Sequence, residues 1–400
     1  MKKIKTVTSP TFQIFAIAAT ACLLYAVSAG LRSNYGLLIE AILKNNNINY
    51  SSVSFILAAG QLVFGITQPV FGVIALKKTN RFVLITGLML MITGSLLTPL
   101  SKSGVLLFLS LGIILPAGTG AISFGVIMGT VTPRLGRQKA ATISGIVSAS
   151  SGIGSTVLSP IIQNTLAQSG LMGTMFILSL PMLLLVPLSL YIAHGEQDSA
   201  QNGNTIPIFQ MIQEAFQNPS YRFISIGFFT CGFHMAIIET HVYSQFISYG
   251  ISNQLAALAF SIYGLATMFG CIISGIVSAK LKMKWVLSFL YGFRALFIMA
   301  FLFLPKTLIT VFAFAILLGL SSAATVTPTS GITEKMFGAA RLATLFGICF
   351  FMHQIGSFFS AWFGGICVEK TGSYTMIWIA DIALCFFASV ICTRIDERRN

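Results

Sequence analysis

Of 400 residues, only 8% are charged and 55% are apolar, and the net charge is +14. Soluble domains carry roughly 25% charged residues, so an ordinary soluble enzyme or binding module is excluded. Apolar runs of about 20 residues recur along the chain, each long enough to cross a hydrocarbon core of roughly 30 Å. Backbone groups find no water there, so the spans must be helices or a closed barrel, and continuous rather than alternating apolar runs select helices.

The first run follows Met1-Lys-Lys-Ile-Lys5, which imitates the start of a secretory leader. It extends from Thr11 to Ile42, carries Arg32 and has a counterpart later in the chain, so it is read as a membrane helix. Twelve spans fit at about 12–42, 51–75, 82–101, 104–130, 140–166, 172–194, 222–249, 253–279, 285–304, 308–331, 340–366 and 374–393. The only long polar connection runs from His194 to Arg222, and its Gly195-to-Asn204 core has the composition of a linker. Within it, Pro207 to Phe216 spaces apolar residues near i, i+3 and i+4, which predicts a short amphipathic helix on the membrane surface. Asn218-Pro219 then opens the seventh span. The expected organisation is a six-helix bundle over 1–194, a linker over 195–221 and a second six-helix bundle over 222–400.

The two bundles repeat each other. Gly136/Gly338, Ala141/Ala343, Thr142/Thr344, Gly145/Gly347 and Gly154/Gly356 stand 202 residues apart, and Gly72 aligns with Gly275 at offset 203. A duplicated set of membrane helices builds its substrate site between the halves, the logic of a secondary transporter. With the N-terminus inside, eighteen Lys and Arg fall on that side and only Lys44, Lys102, Lys306 and Lys370 on the other; Arg32 and Arg294 complete the 24. The bias predicts cytoplasmic termini in an inner membrane. It also makes the positive charge an orientation signal, so no nucleic acid partner is expected. The seven cysteines show no CxxC and no metal spacing, so no metal is expected. Gly118-Thr-Gly120 resembles half of a phosphate loop, but no Lys-Ser/Thr comes after it, and no cofactor is expected.

Six spans, an inside linker and six more resemble the major facilitator superfamily. Its Gly-x-x-x-Asp-Arg-x-x-Arg loop is matched by Gly72 to Arg81, with Leu76 in place of the acid and Ala279 at the repeat position. More specific stretches are Gly30-Leu-Arg-Ser-Asn-Tyr-Gly36, Gly118-Thr-Gly-Ala-Ile-Ser-Phe-Gly125, Thr240-His241, Tyr291-Gly-Phe-Arg294 and His353-Gln-Ile-Gly-Ser-Phe358. They resemble bacterial monocarboxylate-porter-like and oxalate-formate-antiporter-like carriers. The resemblance covers nearly the whole chain and implies an all-α fold of twelve transmembrane helices in two pseudo-symmetric bundles. It also implies a cavity lined by the first and seventh helices. The arginine those groups use in the eighth helix is absent here, where Asn253 to Ala279 holds no charge.

An ionisable group inside a span costs at least about 2.5–3.5 kcal/mol on insertion scales, so such residues mark function or deliberate pairing. Here they are Arg32, His234, Glu239, His241, Arg294, His353 and Asp381. Arg32 is the leading substrate ligand, because a guanidinium grips a carboxylate with two parallel hydrogen bonds. A gate or packing arginine on backbone carbonyls is the alternative. Asn34 and Tyr35 come within a turn of it and offer neutral hydrogen bonds; His234, His241, His353 and Gln354 complete the substrate-binding set. His234 and His241 are seven residues apart, hence on nearly one helix face. The repeat alignment pairs Arg32 with Met235, which brings Glu239 toward Arg32 across the halves; a Glu bonded within its own half is the alternative. Proton-coupling candidates are His241, Glu239 and His353. Arg294 and Asp381 both reach mid-membrane and are expected to form a structural ion pair.

The expectation is a carrier, not an enzyme, working as a monomer in the lipid bilayer. It moves a small organic anion, a carboxylate first, by alternating access, driven by protons or a counter-substrate. A drug or siderophore-like exporter of the same fold and a transport-inactive membrane sensor are the competing readings.

Overall fold

The computed structural model describes residues 10–46, 48–135, 137–193 and 208–398. Lys2, Lys3, Lys5 and the 195–204 linker core lie outside the described residues. Every element among the described residues is helical. Eleven helical runs are long and apolar enough to span a membrane. One of them, Gly145–Ile192, is 48 residues long and counts twice. It lies within the helix Arg137–Ile192, which turns back at Gly170, where φ is 60° and ψ is −165°. A Cβ is strained in that backbone region, so glycine is the residue that lets the chain turn there. Twelve spans result, as the hydropathy pattern predicts.

Span 1 comprises Pro10–Ser33 and Tyr35–Asn46; span 2 is Tyr50–Lys77 and span 3 Asn80–Leu100. Span 4 runs from Gly104–Leu107 to Phe124–Leu135, spans 5 and 6 share Arg137–Ile192, and the surface helix Ile208–Gln217 precedes span 7. Span 7 begins as Pro219–Ile237, widens to a π-turn over Ile238–Val242 and ends as Tyr243–Ser248. Spans 8 and 9 are Asn253–Lys280 and Met283–Phe303. Span 10 is broken between Leu308–Ser321 and Val326–Phe337, and spans 11 and 12 are Ala339–Thr371 and Thr375–Thr393. Asn49, Thr79, Ser103, Ser252 and Thr307 each accept the backbone N–H three residues on, which caps the starts of spans 2, 3, 4, 8 and 10.

The halves repeat in packing as they do in sequence. Gly154 of span 5 lies against the Ala26 carbonyl of span 1, and Gly356 of span 11 against the Phe229 carbonyl of span 7. Only a residue without a side chain permits such backbone contact. We call the face reached by Asn46 distal and the face reached by Lys77 and the C-terminal residues proximal. Toward the distal face the halves meet. Ser159 Oγ donates to the Ala257 carbonyl at 2.7 Å, and Thr156 and Ser261 exchange side-chain-to-carbonyl bonds at 3.0 and 2.9 Å. Gly152 approaches Gly264, and Gly365 approaches Ser54. Toward the proximal face, Gly72, Gly145, Gly275 and Gly347 would each place a Cβ in open space. The repeat-matched Gly145 and Gly347 make no close helix approach in this conformation. Spans 2, 5, 8 and 11 therefore converge at one end and part at the other.

Candidate functional site

Span 1 breaks one residue after Ser33 because Asn34 turns its side chain onto the backbone. Its Nδ2 donates to the Gly30 carbonyl at 2.7 Å and the Ser155 carbonyl at 3.4 Å. The break leaves Arg32 at the end of a helix, aimed at the other half. Arg32 Nη1 lies 2.7 Å from Glu239 Oε2, and the two side chains are 14% and 3% exposed. Gln61 of span 2 ties the pair from the side: Arg32 Nη1 donates to its Oε1 at 3.3 Å, and its Nε2 donates to Glu239 Oε2 at 3.3 Å. The guanidinium carbon stands 4.8 Å from the Phe64 ring centroid, a cation–π distance. Two charges that would each be costly alone thus meet where the halves meet. Among the described residues only Nη1 of the guanidinium is engaged, and Glu239 Oε1 has no partner.

Glu239 reaches this position because it lies in the π-turn of span 7. A π-turn admits one extra residue, which rotates the downstream part of the span by about 100° relative to a regular helix. The expectation that His234 and His241 share a face fails for the same reason. His234 points into the second bundle, where its Nδ1 lies 2.6 Å from Asp381 Oδ2 of span 12, both side chains fully buried. His241 faces the distal seam. Its Nε2 must donate to the Ala361 carbonyl at 2.9 Å, so Nδ1 is free to accept from the Tyr50 hydroxyl of the other half at 3.0 Å. Nearby, Glu369 of span 11 accepts from Asn49 Nδ2 and the Ser51 backbone N–H, both at 2.9 Å.

The expected Arg294–Asp381 ion pair is not formed. Arg294 Nη2 donates to the Ser321 carbonyl, and to the Ser322 carbonyl at 3.2 Å. These carbonyls are left available by the break in span 10 and take Nη2 without a carboxylate, while Nε and Nη1 have no partner among the described residues. Asp381 is taken by His234 and, at 3.6 Å, by the Cys385 thiol. Asp381, His234 and Cys385 are also the one cluster of possible metal donors among the described residues. A hydrogen-bond-length contact between two of the three donors holds a proton rather than an ion, so a metal does not fit without displacement.

The remaining expected residues divide. His353 stacks on Phe350 with centroids 5.3 Å apart and has Phe228 at 5.0 Å. Gln354, fully buried, packs over Gly65 of span 2. Tyr35 is buried with its hydroxyl unpartnered, while Asn34 braces spans 1 and 5 rather than facing Arg32. Sequence reasoning that took neutral residues only beside a charged or titratable one in the same span missed Gln61 and Tyr50. The signal for Gln61 was present: Gln61 and Gln68 are amides seven residues apart in an apolar span, on one helix face.

Two repeated six-helix bundles that close over a charged pair at their shared seam define a membrane transporter. The chain belongs to the Major Facilitator Superfamily, whose family model matches residues 21–309 and 244–400. It is therefore a multi-pass membrane transporter rather than an enzyme. It is similar to Monocarboxylate transporter 12 of Mus musculus, 24% identical over 86% of this chain and 76% of that one. It is 27% identical to the uncharacterized MFS-type transporter YcxA of Bacillus subtilis (strain 168) over 44% of each chain. A D-xylose-proton symporter has the same fold at a TM-score of 0.77, with 15% identity over 97% of this chain and 98% of that one.

Proposed function

We propose that the protein is a secondary transporter that moves a small carboxylate across the inner membrane by alternating access, with Arg32 as the anion's ligand. The observation that carries this reading is the single-point contact between Arg32 Nη1 and Glu239. Its Nε and Nη2 edge is left to receive a planar carboxylate through two parallel bonds, and its 14% exposure gives a ligand access. A substrate carboxylate competes with Glu239 for the guanidinium. Displaced Glu239, in a seam with little water, then takes a proton rather than remain charged without a partner. Substrate and proton exchange thereby become linked through one arginine. The similarity to Monocarboxylate transporter 12 supports the same substrate class.

The charge bias assigns the proximal face, both termini and the 195–221 linker to the cytoplasm. Residues 1–194 and 222–400 are then the two moving bundles. On that assignment the distal contacts close the seam on the outer side. The surface helix Ile208–Gln217 rests on the cytoplasmic leaflet, with Phe209 exposed and Glu214 held 3.0 Å from Arg341 of span 11.

The test is uptake of a panel of labelled carboxylates into proteoliposomes, with and without a pH gradient. Arg32→Lys keeps charge but loses the fork, and should weaken carboxylate transport while the protein still folds. Normal uptake by well-expressed Arg32→Ala removes Arg32 from the site. Uptake that ignores the pH gradient but persists as exchange replaces the proton with a counter-substrate.

A further inference from the structure

The seam beside Arg32 holds more hydrogen-bonding capacity than the ion pair uses. Gln354 of span 11 is fully buried, and neither its Oε1 nor its Nε2 has a partner. On the facing span, Gln68 Nε2 is also buried and unpartnered. Buried amides in folded proteins are almost always satisfied, so groups left open in this way point to a partner that comes and goes. Gln61, Gly65 and Gln68 stand at i, i+4 and i+7, along one face of span 2. The absent side chain at Gly65 is what admits Gln354, because a Cβ there would stand 2.7 Å from Gln354 Cγ. The three amides thus form a row that begins at Gln61, the residue bonded to both Arg32 and Glu239.

The row runs from Arg32 toward the proximal face, where the halves part. Its flank is aromatic: Phe64 lies 6.2 Å from Phe350, which stacks on His353. Among the described residues no second cation stands on it. Arg294, in the middle of span 9, is fully buried against the Ser321 and Ser322 carbonyls. An anionic group would find no counter-charge here, whereas an amide donates and accepts with equal ease.

We infer that the substrate carries, besides the carboxylate held by Arg32, one uncharged hydrogen-bonding group such as a hydroxyl, keto oxygen or amide, received by Gln354 and Gln68. This rests on the reading of Arg32 as the carboxylate ligand. Four residues separate Gln61 from the Gln354 level at Gly65, which is about 6 Å along the helix. A chain of about five bonds spans that distance. A hydroxylated short-chain acid fits this description. A plain fatty acid leaves the amides empty, and a dicarboxylate brings a second charge to a neutral wall.

The experiment measures binding to the purified full chain in nanodiscs by calorimetry. The probes are straight-chain acids of about three to six carbons, matched with and without a terminal hydroxyl, together with glutarate. Wild type should bind the best hydroxy acid about tenfold more tightly than its plain counterpart, a difference of about 1.4 kcal/mol. Glutarate should gain nothing over pentanoate. Gln354→Leu, close in volume, should bring each matched pair to within about twofold while leaving the plain acids unchanged. Gln68→Leu gives the same readout should Gln354→Leu fail to fold. Equal binding of matched pairs by wild type, or a preference that survives both variants, overturns the inference. If plain acids bind and Arg32→Ala abolishes that binding, the carboxylate reading stands even when the hydroxyl preference is absent. If no acid binds, both readings fall.

Discussion

Glu239→Gln is the substitution that most directly separates a gate from a binding site. In the described conformation Glu239 occupies Arg32 at 2.7 Å, so under the proposed function it competes with an incoming carboxylate. Exposed ion pairs contribute about 0–1 kcal/mol, and truncating one partner of a buried pair costs about 3–5 kcal/mol. The Arg32 side is 14% exposed and the Glu239 side 3%, and a glutamine keeps a neutral hydrogen bond to the guanidinium. The competition removed is therefore about 1–2 kcal/mol, and carboxylate affinity should rise about five- to thirtyfold. Transport should not rise with it, because the substitution also removes the carboxylate that closes the seam and receives the proton. The assay pairs calorimetric binding to purified protein with uptake into proteoliposomes across a pH gradient. Tighter binding with lost gradient dependence is the expected outcome. Binding that weakens or stays level would show that Glu239 does not compete with the substrate, and the displacement scheme would have to be abandoned.

The other expectations concern orientation, motion and the second bundle. A reporter fused after residue 204 should be active only in the cytoplasm; activity confined to the periplasm reverses the assigned orientation. Gly145→Leu has open space around it here, so the protein should fold normally. The added side chain should instead block closure of the proximal end. Preserved expression with exchange reduced at least about tenfold is the outcome to look for, and undiminished exchange would show that span 5 does not close there. Asp381→Asn leaves His234 with a neutral partner in a fully buried site and should lower the melting temperature in detergent. A hydrogen bond to a charged group contributes about 1.5–3 kcal/mol. No loss of stability would mean that the 2.6 Å contact is not holding spans 7 and 12 together.

The positions of the spans were legible in the sequence because the bilayer enforces a single rule. Backbone groups must be satisfied within each helix, so apolar length alone marks a span. The repeat carried further: aligning Arg32 with Met235 brought Glu239 to the seam, where it meets Arg32. Side-chain pairing deeper in the bundles was not legible. It depends on helix rotation, and the π-turn at Ile238–Val242 resets that rotation without any change in hydropathy. That one turn separates His241, on the distal seam, from His234, which takes Asp381 away from Arg294. The break in span 10 then offers Arg294 carbonyls that no sequence pattern announced. Gln61 and Tyr50 were overlooked because they reach Arg32 and His241 from another span, whereas the neutral residues picked out stand beside an ionisable one in the same span.

The carbonyls that hold Arg294 also set an order for assembly of the chain during synthesis. Arg294 enters the membrane with span 9, whose mean hydropathy of 2.0 is high enough for the segment to partition despite one guanidinium. Its acceptor Ser321 is 27 residues further along, in a span that has not yet entered the membrane at that moment. Span 9 therefore has to wait with an unanswered charge, at the mouth of the insertion machinery or reaching toward an interface, until span 10 arrives with its break already in place. A nascent chain stopped between these two spans exposes that charge to lipid.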